Sequence, residues 1–258
     1  MLTVHNLSIQ TSEKQLVENL NLTVKLGQSW FIYGANGAGK STLMRALSGI
    51  TGGQEQGISV QGMIELNGMD LDTFSPIQLA RQRSWLPQTQ TDAFGWTVFE
   101  TVLAGRYPYS GGLWENGTDI AMAEDALRQM DLMALADRDI RTLSGGERQR
   151  TAIAAVIAQD TPLILMDEPS TALDLPHQQT LMQFIHQQSL QQKALMTIVH
   201  DINLARTAAT HVLLLNGDGT WEAGERTTVM TSEKLSHCLH NPIKAIPFEN
   251  GETVFVSI

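Results

Sequence analysis

The residues whose spacing carries the most chemistry are Gly34-Ala35-Asn36-Gly37-Ala38-Gly39-Lys40-Ser41-Thr42, with the pattern G-x-x-x-x-G-K-S. Glycines so placed let backbone N–H groups turn inward and line a concave nest for anions. Lys40 supplies a mobile point charge for the β- and γ-phosphates of a nucleotide, and the Ser41 hydroxyl is a ligand for Mg²⁺. The chemistry is binding of ATP or GTP. Asp167-Glu168 adds two carboxylates. We assign Asp167 to the Mg²⁺, opposite Ser41, and Glu168 to polarising an attacking water. Two adjacent acids at a strand end are equally two solvated carboxylates, and it is the company of the glycine stretch that favours the catalytic role. His200 can donate to the γ-phosphate or orient the water, although a histidine at a strand end is also a common structural residue. Gln88 can sense the metal or the water through its amide; alone it would not stand out.

These side chains need a scaffold that delivers them to one place. Trp30-Phe31-Ile32-Tyr33, before the glycine stretch, is an apolar run expected as a buried strand; Leu43 to Ser48, after it, is a helix stopped by Gly49. Strand, glycine turn and helix in that order separate a phosphate site from a mere Gly-rich turn, and the helix adds its positive N-terminal end. Leu163-Ile164-Leu165-Met166 is a continuous apolar run, as a central parallel strand requires, and delivers Asp167-Glu168. Leu195 to Val199 is another and delivers His200; the short strand Ser84-Trp85-Leu86-Pro87 delivers Gln88. In open α/β sheets the ligand crevice lies at the carboxyl ends of such strands.

Leu143-Ser144-Gly145-Gly146-Glu147-Arg148-Gln149 opens a further helix over 145–158. Ser144 with Glu147 is a capping box, which by itself explains the stretch completely. Two glycines at a helix N-terminus also make a second anion site, and one without a lysine points to a nucleotide held by a partner.

Elsewhere, alternation over residues 2–9 predicts a half-exposed edge strand, and Leu16 to Val24 a second strand. Gly62 to Gly68 has strand alternation bounded by glycines. Ser75-Pro76 opens a helix, Thr97 to Leu103 begins another, and Ile120, Ala123, Leu127 and Met130 share an amphipathic face. Helices follow over 173–190 and 201–209, a strand over 212–215 turning at 216–219, a short helix from Thr231, and a last strand over 253–258. Residues 51–57 and 107–117 are expected as loops, and 89–96 is a polar and aromatic stretch. The pattern is an α/β chain with a helical insertion over about 88–160. The net charge of −10, with no Lys/Arg run longer than Arg81-Gln82-Arg83 or Arg148-Gln149-Arg150, disfavours nucleic acid as a partner. No apolar run approaches the roughly 18 residues of a membrane helix, and Met1 to Asn6 has no leader character; we expect a cytoplasmic protein that meets a membrane only through a protein partner. The single cysteine, Cys238, excludes an internal disulfide and a Cys-based metal site.

Together and in this order, Gly34–Thr42, Gln88, Leu143–Gln149, Leu163–Glu168, Ser170-Thr171-Ala172-Leu173-Asp174 and His200 resemble the ATP-binding subunit of an ABC transporter over nearly the whole chain. The resemblance implies a P-loop NTPase (RecA-like) core with an N-terminal antiparallel β subdomain and an inserted α-helical subdomain. The core and β subdomain would take about 1–87 and 161–258, and the insertion about 88–160. It implies ATP and Mg²⁺ as cofactors, with Ser41, Gln88 and Asp167 at the metal. It implies a head-to-tail homodimer in which each ATP lies between one copy's Gly34–Thr42 and the other's Ser144, Gly145, Gly146 and Glu147, with Asp174 at the seam. Glu168 would be the catalytic base, His200 the switch histidine, and Gln88 the link to the insertion that receives the membrane partner. One departure stands out: no aromatic residue in Gln10 to Gln15 is available to stack on adenine.

Phe94-Gly95-Trp96-Thr97-Val98-Phe99-Glu100-Thr101-Val102 followed by Leu103-Ala104-Gly105-Arg106-Tyr107-Pro108 is similar to the importers of iron–siderophores, haem and vitamin B12. That similarity implies two membrane-spanning permease subunits and, through them, an extracytoplasmic binding protein, with this chain on the cytoplasmic face of the membrane. The alternative is a soluble ABC-type ATPase acting on ribosomes or nucleic acid. Such proteins usually carry two ATP modules or a long coiled coil, and this chain has one module and no heptad run. A non-enzymatic scaffold is disfavoured by the presence of Lys40, Asp167, Glu168 and His200.

Overall fold

A computed structural model describes residues 1–50, 57–89, 95–110, 117–248 and 253–258. The chain starts with strands β1 (Leu2–Thr11) and β2 (Gln15–Val24), enters the glycine stretch from β3 (Ser29–Gly34) and leaves it by helix α1 (Lys40–Ser48). Strands β4 (Ile58–Leu66) and β5 (Met69–Asp70), helix α2 (Pro76–Gln82) and strand β6 (Arg83–Leu86) follow. Helices α3 (Val98–Ala104), α4 (Gly117–Gln129) and α5 (Gly145–Gln159) come next, then β7 (Leu163–Asp167), α6 (Leu175–Leu190) and β8 (Ala194–Ile198). The chain closes with α7 (Ala205–Ala208), β9 (His211–Leu215), β10 (Trp221–Glu225), α8 (Arg226–Val229), α9 (Ser232–Leu239), β11 (Ile243–Pro247) and β12 (Thr253–Ser257).

The central sheet is six-stranded, in the order β10-β9-β3-β8-β7-β6, and every pair in it except β10–β9 is parallel. Successive side chains of a strand point to opposite faces, and here both faces are covered. Phe31, Tyr33, Ile164, Met166, Leu195, Val212 and Leu214 enter one core, which they share with α3, α4, α5 and α6. Trp30, Ile32, Leu163, Leu165, Met196, Ile198, Leu213 and Leu215 enter a second core with α1 and the four-stranded antiparallel sheet β2-β1-β4-β5. Burial on both sides is why these strands are uninterrupted apolar runs. Each fully buried leucine or isoleucine contributes about 1.5–3 kcal/mol, so the frame that carries the strand ends is rigid.

Helix starts follow the sequence closely. Ser75, Thr97 and Ser144 each accept a hydrogen bond from the third helical N–H, and Gln78, Glu100 and Glu147 reach back to close capping boxes. Gly49 ends α1 in a left-handed conformation with φ of +67°.

Three expectations need correction. The strand over residues 2–9 is not at an edge: β1 pairs with β2 on one side and with β4, arriving later in the chain, on the other. Gly62 does not bound its strand but lies inside β4, opposite the irregularity between His5 and Ser8 of β1. The helix expected over 201–209 shrinks to α7, because Asp201 Oδ1 accepts from Asn203 N at 2.8 Å and forms a turn in its place. Strands β10 and β11 and helix α8, four or five residues each, are too short to stand out: β10 sets Trp221 and Ala223 against the second core, and β11 sets Ile243 in the main one. The expected loops over 51–57 and 107–117 and the polar, aromatic stretch 89–96, with Phe94, fall largely outside the described residues.

Candidate active site

Parallel pairing puts the ends of β3, β7 and β8 on one edge, with Asp167 in register with Ile198 and Gly34 with Leu215. The chain therefore leaves the sheet at the glycine stretch, at Glu168 and at His200 side by side. These exits and Gln88 enclose a cavity of about 440 Å³ lined by Asn36, Gly37, Gly39, Lys40, Ser41, Thr42, Gln88, Glu168 and His200. Each lining residue is one that the sequence singled out. A smaller, more apolar cavity of about 310 Å³ lies on the other side of α1, against β4, and gathers no such set.

Gly39 has φ of +94°, and a Cβ there would meet the Leu16 Cβ at 2.9 Å, so no other residue fits this turn. Helix α1 begins directly after it with no side-chain cap, which leaves first-turn N–H groups facing the cavity. Ala38 turns inward and is buried. Lys40 is almost wholly buried, and its Nζ donates to Gly34 O at 2.8 Å and Ala35 O at 3.1 Å. Burial lowers its pKa, opposed chiefly by the nearby Glu168 carboxylate and by Asp167.

Asp167 lies beneath the cavity, 2% exposed, hydrogen-bonded to the Ser41 side chain. Burial raises its pKa; the Ser41 bond opposes this, and the Glu168 charge adds to it. Its Oδ1 is buried with no hydrogen-bond partner among the described residues. Glu168 takes φ of +52° and its N–H bonds Ile198 O at 3.1 Å. A non-glycine residue held there costs roughly 1–3 kcal/mol, and such strain gathers at functional sites. Its Oε1 is 2.6 Å from His200 Nε2, and Thr171 Oγ1 donates to Oε2 at 3.5 Å.

A glycine turn with a bare helix start, a buried lysine, a hydroxyl–carboxylate pair and a carboxylate–histidine pair now share one sheet edge. A family model described as ABC transporter matches residues 17–171. The chain belongs to the ABC transporter family.

Among its relatives, the "Hemin import ATP-binding protein HmuV" of Burkholderia lata is 38% identical over 97% of both chains. The "Iron(3+)-hydroxamate import ATP-binding protein FhuC" of Bacillus subtilis is 34% identical over 91% of this chain and 86% of that one. A solved inward-facing ABC transporter of the metal-chelate type superposes with a TM-score of 0.82 at 30% identity, covering 100% of this chain and 97% of the other. A dimeric ATP-binding cassette with ADP and Pi, at 24% identity and a TM-score of 0.74, shares the fold. This chain is an ATP-binding subunit of the ABC family, with a P-loop core and an N-terminal antiparallel sheet, and no described helix is long and apolar enough to cross a membrane.

The ABC subunit keeps its second glycine pair away from this cavity. Ser144, Gly145, Gly146 and Glu147 start α5 and none of them lines the cavity. Ser144 N–H and its hydroxyl hold the Glu147 carboxyl below the usual range. Gln149 Nε2 donates to Pro169 O at 3.1 Å, so α5 packs on the turn that follows Glu168. Asp174 caps α6, its Oδ1 accepting from His177 N at 3.1 Å. The residue missed by sequence reasoning is Lys14, whose Nζ reaches from the β1–β2 turn to Gly37 O at 2.7 Å. It lies in the very stretch searched for an aromatic, and a lysine there gave no other signal.

Proposed function

We propose that this subunit hydrolyses ATP as a head-to-tail homodimer on the cytoplasmic face of a membrane, powering import of a haem or iron-chelate cargo through two permease subunits. The observation that carries this is the convergence of Lys40, Ser41, Gln88, Glu168 and His200 on one cavity, with the Ser144–Glu147 start of α5 left outside it. A second copy is then needed to bring Ser144, Gly145, Gly146 and Glu147 over the γ-phosphate, with Asp174 at the seam. Leu175, directly after Asp174, is 74% exposed, and a partner copy would cover it. The helices between 88 and 160 receive the permeases, while 1–87 and 161–258 form the ATP-binding body. The hemin and iron(3+)-hydroxamate import relatives support the cargo class, delivered by an extracytoplasmic binding protein.

On binding, Lys40 Nζ exchanges the Gly34 and Ala35 carbonyls for β- and γ-phosphate oxygens. Ser41, Asp167 and the Gln88 amide would hold Mg²⁺. The fit is good, since the unpartnered Asp167 Oδ1 beside a hydroxyl is an oxygen donor set of the kind Mg²⁺ takes together with phosphates and water. Bound there, the metal neutralises charge developing on the phosphate oxygens. Glu168 accepts a proton from the attacking water as the new P–O bond forms and the bond to ADP breaks. His200 Nε2 fixes the Glu168 carboxylate that does so. ATP drives the transporter by binding the closed dimer better than the open one.

The test is reconstitution with the permeases and ATPase measurement with haem-loaded and ferric-hydroxamate-loaded binding proteins. Stimulation by one of them is expected. Full ATPase activity that ignores both would point away from an importer.

A further inference from the structure

We infer that Asn203 is a positioning residue for His200, tying the catalytic histidine to the C-terminal hairpin β11–β12. This rests on the role proposed above for His200. The His200 side chain is 53% exposed, and its ring nitrogen Nε2 pairs with Glu168 Oε1. A ring held so lightly depends on where its backbone is fixed. The backbone leaves β8 two residues earlier and is caught again at Asn203. There the side-chain amide acts as a substitute strand: Asn203 Nδ2 donates to Phe255 O at 2.9 Å, and Phe255 N donates to Asn203 Oδ1 at 2.9 Å. Both backbone groups of Phe255 on the free edge of β12 are thereby satisfied. The anchor is firm, because the Phe255 ring is buried in the main core and β12 is paired with β11 through Ala245–Phe255. Asp201 Oδ1 closes the other end by accepting from Asn203 N at 2.8 Å, one residue beyond His200. The run His200-Asp201-Asn203 is thus fixed by β12, an element outside the matched family region of residues 17–171.

The clamp contributes nothing to the nucleotide cavity itself, whose lining excludes Asn203. Its loss should therefore affect turnover and not ATP binding. Asn203→Ala and Asn203→Ser are compared with the parent for ATP affinity, kcat, thermal unfolding and amide hydrogen exchange. We expect unchanged affinity, a kcat about ten- to a hundredfold lower, as for a small misplacement of a catalytic group, and faster exchange confined to residues 199–204 and β12. Serine, which retains one short polar group, should lie between alanine and the parent. Parental kcat in Asn203→Ala, or exchange unchanged over 199–204, overturns the inference, as does equal weakening of ATP affinity. His200→Ala separates the two levels: if that variant keeps parental kcat, the role of His200 itself fails, whereas an inactive His200→Ala beside a fully active Asn203→Ala removes only the clamp.

Discussion

Helices α1 and α5 both begin at small residues where an anion could sit, yet they begin in opposite ways. Helix α1 has Gly39 as its cap, no side-chain hydrogen bond to its N–H groups, no acid in its first turn and Lys40 at its first position. Helix α5 is closed by its own side chains: Ser144 takes the Glu147 N–H, and Glu147 reaches back to Ser144. A helix start left bare presents its unpaired donors and positive end to a ligand. A helix start that carries its own carboxylate has already met most of that demand, and only the Gly145 and Gly146 N–H groups remain. On the reading proposed above, the first would be a complete anion site and the second at most half of one. That difference argues for a shared nucleotide better than the glycines do, since both stretches have glycines.

The largest effect should come from the complete site. Lys40→Ala removes the one buried cation of the nest and should lower ATP hydrolysis by about 10³-fold, the scale of losing a preorganised charge donor, and abolish ATP-driven dimer closure. Dimer closure at full ATP affinity in this variant, seen by size-exclusion chromatography, would break the two-halves comparison. Next comes Glu168→Gln, which leaves the nest intact. Hydrolysis should fall by about 10²-fold, as for loss of a general base, with ATP affinity unchanged and a dimer trapped. Parental turnover would free Glu168 of the base role.

The half site needs a subtler variant. Ser144→Ala loses the cap and should cost about 1 kcal/mol of stability, which shows a cap and nothing more. Ser144→Asp keeps a good cap and places a carboxylate where a partner's phosphate would lie. We expect its Tm to match the parent while ATPase activity falls by about tenfold, roughly 1.4 kcal/mol of repulsion at the γ-phosphate. Equal activity in Ser144→Asp and the parent would reduce α5 to a capped helix.

The legibility of the sequence followed the same divide between continuous patterns and isolated side chains. The ends of β3, β7 and β8 could be located because double-sided burial forces unbroken apolar runs, and whatever follows such a run must sit at the sheet edge. Lys14 and Asn203 had no such frame, since each acts through one or two hydrogen bonds to a distant backbone that no local spacing encodes. The stretch Leu103-Ala104-Gly105-Arg106 lay between these cases. It was recognisable by resemblance, but its reason is packing: a Cβ on Gly105 would stand 2.4 Å from Ala155 O. Arg106 bonds Asp119 Oδ1 at 2.8 Å and the α5 carbonyls of Ala158 and Gln159 at 2.9 and 3.2 Å. That knot ties α3 and α4 to the far end of α5, and no sequence period announces it.

The smallest effect expected is also the one that measures the cap directly. Hydrogen bonds from Ser144 N–H and its hydroxyl lower the Glu147 pKa in the folded state. A depressed carboxylate stabilises the fold above its unfolded pKa, near about 4.3, and that stability is lost as pH falls through the folded value. Asp174, held down by His177, and Asp139, held at about 2 by Arg141, act with the same sign. Glu147→Gln retains an oxygen for Ser144 N–H but cannot titrate. Its Tm should therefore fall less steeply than the parent's between about pH 5 and 3, while Asp139 and Asp174 keep part of the slope in both proteins. The start of α1 has no acid in its first turn and contributes no such carboxylate of its own. Were the slopes of Glu147→Gln and the parent to coincide, the Glu147 carboxylate would not be engaged by Ser144. The start of α5 would then be nearly as open to an anion as that of α1, and the contrast between a complete and a half site would have to rest on Lys40 alone.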